Sequence, residues 1–134
     1  MNRERYDWLW RRGSREAVMA ALAKIDDPGE RGEFYVRAVE VTQRWRPMLV
    51  RFLCEAYVDE FYARSAPFGE GVLPDGKVLG VLVRAYEQEG RLDLAEWVCE
   101  LALANGVTAA GLDGGFGVWI ERVRQKRAVT ANPG

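Results

Sequence analysis

Apolar residues recur along this chain at helical spacing. Val18, Ala21, Leu22 and Ile25 fall at i, i+3, i+4 and i+7 after Ser14, which predicts a helix over about 15–25 with Ser14 as its N-cap. Asp26-Asp27-Pro28-Gly29 is its stop. Phe34, Ala38, Val41 and Trp45 lie at i, i+4, i+7 and i+11, with Val39 beside them, and predict a second helix over about 30–45. Pro47 suits the first turn of a third, over about 47–64, marked by Met48, Leu49, Phe52, Leu53, Ala56, Tyr57 and Phe61. The break between these two is short enough for either a hairpin or one kinked helix. Residues 65–76, with Pro67, Gly69, Gly71, Pro74 and Gly76, form the longest predicted loop, and Asp75 is a candidate cap for the next helix. Val78, Leu79, Leu82, Val83 and Tyr86 predict that helix over about 76–89, and Gly90 ends it. Leu94, Val98, Leu101 and Ala102 predict another over about 92–105, closed by Asn105-Gly106. Beyond a Gly-rich stretch, Phe116, Trp119, Ile120 and Val123 predict a last helix over about 116–127, with 128–134 as a frayed tail. Residues 1–13 read as a basic aromatic arm or a short helix. No segment alternates with a strand's period. The expected architecture is therefore all-α: a bundle of five or six helices in a single domain, 1–134.

Within residues 79–103, Leu79, Leu82, Tyr86, Gly90, Ala95, Cys99, Ala102 and Leu103 stand at spacings that let two antiparallel helices pack closely around a Gly turn. This stretch resembles the tetratricopeptide repeat, a helical hairpin whose usual work is holding other molecules. Gly90 takes the turn, Ala95 the close crossing, and Tyr86 and Ala102 packing positions. Two positions depart from the pattern: Val83 replaces the small residue usual on the first helix, and Cys99 stands where an aromatic is common. The second half, from Tyr86-Glu87-Gln88-Glu89-Gly90 through Gly114-Gly115-Phe116-Gly117 to Ile120-Glu121-Arg122, also resembles the C-terminal part of small uncharacterised bacterial proteins. That similarity brings no activity with it, and implies a packing cap at the end of the chain. An internal echo supports two stacked hairpins: Val36-Arg37-Ala38-Val39-Glu40 resembles Val83-Arg84-Ala85-Tyr86-Glu87, and Cys54-Glu55 resembles Cys99-Glu100. The resemblance implies a TPR-like module that binds a protein or peptide on the first helix of each pair. Arg37, Arg44, Arg84 and Gln88 are then the expected exposed groove residues, with Tyr35 as an aromatic contact.

Composition narrows the chemistry. The 134 residues are 49% apolar and include five Trp, five Tyr and five Phe, enough for a proper core. There is no histidine, which removes Ser-His, Cys-His and His-metal catalysis within this chain. Cys54 and Cys99 lie outside any CxxC pair, so no zinc site is expected. They read as two buried reduced thiols, with a disulfide between adjacent helices or a reactive thiol as the alternatives. Asp93, Glu96 and Glu100 share one helix face, and Glu55 and Asp59 are four apart. Such carboxylates serve acid–base work or hard cations, yet a solvated face or a surface for a basic partner fits them better. The glycines of 106–117 lack a following Gly-Lys-[Ser/Thr] and read as a connection rather than a phosphate cradle. The chain is expected to be non-catalytic and to need no cofactor: an adaptor, regulator or inhibitor of bacterial or phage type.

The charges are unevenly spread over a net −1. Residues 1–15 and 116–134 each carry +3, and the acidic middle carries −7. Basic ends suggest a second reading, a nucleic-acid-binding accessory protein. Arg3, Arg5, Trp8, Trp10, Arg11 and Arg12 mix cations with stacking rings as single-strand binders do, and Arg122, Arg124, Lys126 and Arg127 would add phosphate contacts. The competing expectation is that these ends dock on the chain's own acidic body. Trp45, Phe61, Phe68, Trp97 and Trp119 are many aromatics for so small a core, which leaves a homodimer open. Residues 1–15 lack an apolar run of signal length, and no run of 18 apolar residues exists, so a cytoplasmic protein off the membrane is expected.

Overall fold

A computed structural model describes residues 3–63, 76–107 and 114–131. Among these residues the chain is all-α, with no strand. Seven α-helices stand where five or six were expected: α1 (Arg3–Arg12), α2 (Arg15–Ala23), α3 (Pro28–Thr42), α4 (Pro47–Val58), α5 (Gly76–Gln88), α6 (Leu92–Ala104) and α7 (Gly115–Ala131). A π-helical turn, Asp59–Ala63, extends α4. The chain forms two compact units, Met1–Pro74 and Asp75–Gly134. The predicted loop 65–75, its candidate cap Asp75 and Phe68 lie outside the described residues.

In the first unit, each helix start follows from a local signal. The Ser14 side chain accepts from the Ala17 N–H at 3.1 Å and starts α2. Asp27 accepts from the Glu30 N–H at 2.9 Å, with Pro28 in the first turn. The Asp-Pro segment that ends one helix therefore begins the next, and α3 starts two residues earlier than its apolar pattern. α3 and α4 are separate helices packed on each other, so the hairpin alternative is the one the chain adopts. α3 stops at Thr42, short of the predicted Trp45, because Arg46 precedes Pro47 and is driven out of helical geometry (φ −136°, ψ 68°). Tyr6, Trp10 and Phe34 form one aromatic cluster, with edge-on contacts at 5.1 and 5.4 Å from Phe34. Tyr35, Tyr57 and Phe61 form another, at 5.2 to 6.1 Å. Between α2, α3 and the π-helical turn, Arg31 donates to the Leu22 and Ile25 carbonyls at 2.7 and 3.0 Å. It also grips both carboxylate oxygens of Glu60, to which the Tyr35 hydroxyl donates at 2.8 Å.

In the second unit, α5 and α6 pack as a hairpin and α7 packs on α6. Gly90 (φ 75°) makes the turn. The Arg91 N–H donates to the Tyr86 carbonyl and the Gly90 N–H to the Glu87 carbonyl, the paired bonds of a Schellman cap. Gly106 (φ 63°) ends α6 with the same pair, from Val107 to Ala102 and from Gly106 to Leu103. Leu79, Leu82, Val83, Tyr86, Ala95, Val98, Cys99 and Ala102 are buried, joined by Phe116, Ile120 and Val123 from α7. α7 continues past the predicted end at 127 and takes in Ala128 to Ala131, expected as frayed; the Thr130 hydroxyl donates to the Lys126 carbonyl at 2.9 Å. No helix of the described residues is long and apolar enough to cross a membrane.

Candidate functional site

A concave site lies in the first unit, at the start of α4. It begins with the break before Pro47. Because the apolar stripe of α3 ends at Thr42, Trp45 turns outward and is 72% exposed. Met48, in the first turn of α4, is 74% exposed. Both were expected among the core-facing positions; the Arg46–Pro47 turn rotates them away. Arg46 cannot cap α4 with its side chain. Instead its guanidinium reaches back to the Trp10 carbonyl at 2.9 Å and the Gly13 carbonyl at 2.6 Å. Arg15, the first residue of α2, lies over the Phe52 ring at 4.5 Å. Arg51 pairs with Glu55 one turn on, at 3.2 Å. Together these side chains, with Pro47 and Leu49, line an open groove of about 500 Å³, within the size range of ligand pockets. Its wall mixes apolar and charged groups, and its charge is positive: three Arg against one Glu.

A smaller hollow of about 270 Å³ lies between α1 and α3, lined by Glu4, Asp7, Trp10, Arg37, Glu40 and Val41. Arg37 pairs with Glu40 at 2.9 Å and Arg11 with Asp7 at 2.9 Å. The Trp10 indole N–H is buried without a hydrogen-bond partner.

The residues expected from the sequence fare unevenly. Tyr35 is 2% exposed, so it offers no aromatic face to a partner. It packs against Tyr57 and Phe61, and burial together with its bond to Glu60 raises its hydroxyl well above the usual phenol range. Arg37 is half-buried and tied to Glu40. Arg44 is exposed in the turn after α3, while Arg84 and Gln88 are exposed on α5. Arg37 and Arg44 belong to the first unit, Arg84 and Gln88 to the second.

The basic aromatic N-terminus is the helix α1, to which Arg3 and Arg5 belong. Trp10 is 2% exposed and packs on Phe34, so it is unavailable for stacking on a base. Trp8 is exposed, as are Arg5 and Arg12, while Arg11 is engaged by Asp7. At the other end, α7 docks its cations on carboxylates of its own unit. Lys126 and Arg122 meet Glu87, Arg124 meets Glu96, Glu100 and Glu121, and Arg127 meets Glu96. The predicted acidic ridge thus serves α7 through Glu96 and Glu100, while Asp93 lies 4.0 Å from Arg91.

Cys54 and Cys99 are both free and buried. Burial drives the Cys54 thiol far above its ordinary range, and burial with the nearby Glu87 charge pushes Cys99 up to about 11. Neither is a ready nucleophile. No group of three His, Cys, Asp or Glu among the described residues is placed to hold a metal ion. The groove itself was missed from sequence. Its one local signal is Trp45-Arg46-Pro47, since a residue before proline rarely continues a helix.

No protein-family model, no curated protein and no solved structure matches this chain.

Proposed function

We propose that this chain is a non-catalytic protein- or peptide-binding module, acting as an adaptor, regulator or inhibitor through the groove at the start of α4. One observation carries the reading: Trp45 and Met48 stand 72% and 74% exposed on the wall of a formed cavity beside Arg15 and Arg51. Exposing large apolar groups costs free energy in water, and Trp, Met and Arg are the residues enriched at protein interfaces. The α5–α6 hairpin adds support, since its Gly90 turn and buried Ala95 and Ala102 keep the tetratricopeptide spacing; we assign it as a hairpin of that kind. Two unpaired buried thiols suit a reducing compartment, in keeping with a cytoplasmic setting. Nucleic-acid binding loses most of its groundwork. The four basic residues of α7 lie against carboxylates, and Trp10 is buried.

The test is a random 12-residue peptide library displayed on phage, selected in parallel on the full chain and on a Trp45→Ala/Met48→Ala variant. Peptides kept by the parent chain and lost by the variant are the expected result. Recovery of no such peptide from repeated selections overturns the reading.

A further inference from the structure

The charges in the α4 groove define its occupant more closely. We infer that the groove takes an acidic peptide segment anchored by one apolar side chain, an inference that rests on the peptide-binding reading above. The first unit is electrically balanced, with twelve basic and twelve acidic side chains. Its charge is nevertheless sorted. The hollow between α1 and α3 gathers Glu4, Asp7 and Glu40 against Arg37, while the groove gathers Arg15, Arg46 and Arg51 against Glu55. A carboxylate entering the groove meets a local excess of two positive charges.

Arg46 is the fixed member of this set. Both of its terminal nitrogens donate to main-chain carbonyls, and no carboxylate among the described residues forms an ion pair with it. Carbonyls orient a guanidinium without cancelling its charge, so a half-buried cation stands preorganised in the groove. Arg15 is set differently. Its guanidinium lies over the Phe52 ring, and its nearest carboxylate, on Glu16, is 4.0 Å away. Stacking occupies the face of the group and leaves the edge N–H donors, which match a carboxylate in bidentate fashion.

Trp45 and Met48 supply the apolar part of the contact. The indole gives rigid area, and the thioether adapts to the side chain it meets. A nucleic-acid strand would use the guanidiniums but needs a cationic path along its backbone. Here the charges are confined to one pocket, with apolar groups beside them.

The peptides recovered from the library on the full chain are sequenced, and one is synthesised with a fluorescein label for anisotropy titration. The expected sequences carry an excess of Asp and Glu around one aromatic or large aliphatic residue. Arg15→Glu and Arg51→Glu are each expected to weaken the labelled peptide about tenfold or more, and added salt to weaken it further. Circular dichroism checks that both variants keep their helices, and Arg15→Gln provides a milder change at the same site. Groove-dependent peptides that are neutral or basic sink the acidic assignment and leave the peptide-binding reading standing. Two results sink both: no groove-dependent peptide at all, or an oligonucleotide that binds in its place and needs the same arginines. A dimer of the chain that dissociates on Trp45→Ala, seen by light scattering, makes the occupant a second copy and overturns the inference.

Discussion

Cys99 is fully buried in the second unit, and that burial, with the charge of Glu87, pushes its thiol up to about 11. In the unfolded chain a thiol ionises near pH 8.5. Between these values the folded state holds a proton that the unfolded state has lost, so stability must fall as pH rises. The loss sets in near pH 8.5 and reaches about 3 kcal/mol by pH 11. Melting temperatures measured over that range are expected to drop, and a Cys99→Ala variant to show a shallower decline. The glycines give a second expectation at this scale. A Cβ on Gly13 would lie 2.6 Å from both the Leu9 carbonyl oxygen and a Leu9 methyl carbon. The backbone oxygen cannot yield, so Gly13→Ala is expected to cost about 2 kcal/mol in chemical denaturation. At Gly90 nothing lies within 4 Å, and only the positive φ resists a side chain. Gly90→Ala is therefore expected to cost about 1 kcal/mol, and Gly90→Asn less, because Asn tolerates that conformation.

The elements were legible wherever a single period or cap defined them. Ser14, Pro47, Gly90 and Asn105-Gly106 mark real helix boundaries, and the apolar stripes of α2, α5 and α6 face the interior as their spacing requires. What stayed hidden depends on residues far apart in the chain. Arg31 and Glu60 are 29 positions apart, and no periodicity announces that one will bridge α2, α3 and the turn after α4. Burial of Tyr35 and Trp10 follows from aromatic partners on other helices. Exposure of Trp45 follows from the φ of Arg46, one residue away yet decided by Pro47. The groove was unreadable for the same reason, since it joins residue 15 to residues 45–55. The Arg31–Glu60 bridge carries its own prediction. Both side chains are 22% exposed, so solvent screens them in part. Glu60→Ala strands the Arg31 guanidinium and the Tyr35 hydroxyl together, and is expected to cost about 2 kcal/mol. In a double-mutant cycle with Tyr35→Phe, the two changes are expected to be less than additive, because the hydroxyl loses its acceptor in either case.

Charge at the scale of the whole molecule separates a basic-looking sequence from a basic surface. The 116–134 segment reads as +3 along the chain, but in space its cations lie against Glu87, Glu96 and Glu100 from α5 and α6. A phosphate approaching α7 meets ion pairs, and must displace a carboxylate for each cation it takes. Glu87 and Glu96 are the partners that count, with side chains only 11% and 16% exposed, whereas Glu100 is 53% exposed. The parent chain is therefore expected to bind single-stranded and duplex oligonucleotides no more tightly than about 10 µM at physiological salt, within the range of non-specific association. Changing Glu87→Gln and Glu96→Gln together removes two negative charges and leaves Arg122, Lys126, Arg124 and Arg127 on the same helix with four of their six ion pairs among the described residues gone. If pairing is what silences the basic helix, that variant gains oligonucleotide affinity and a steeper loss of it with salt. Fluorescence anisotropy at several salt concentrations reads both quantities. Tight binding by the parent chain, undiminished when the four α7 cations are changed to Ala, would mean that nucleic acid is met elsewhere on the molecule.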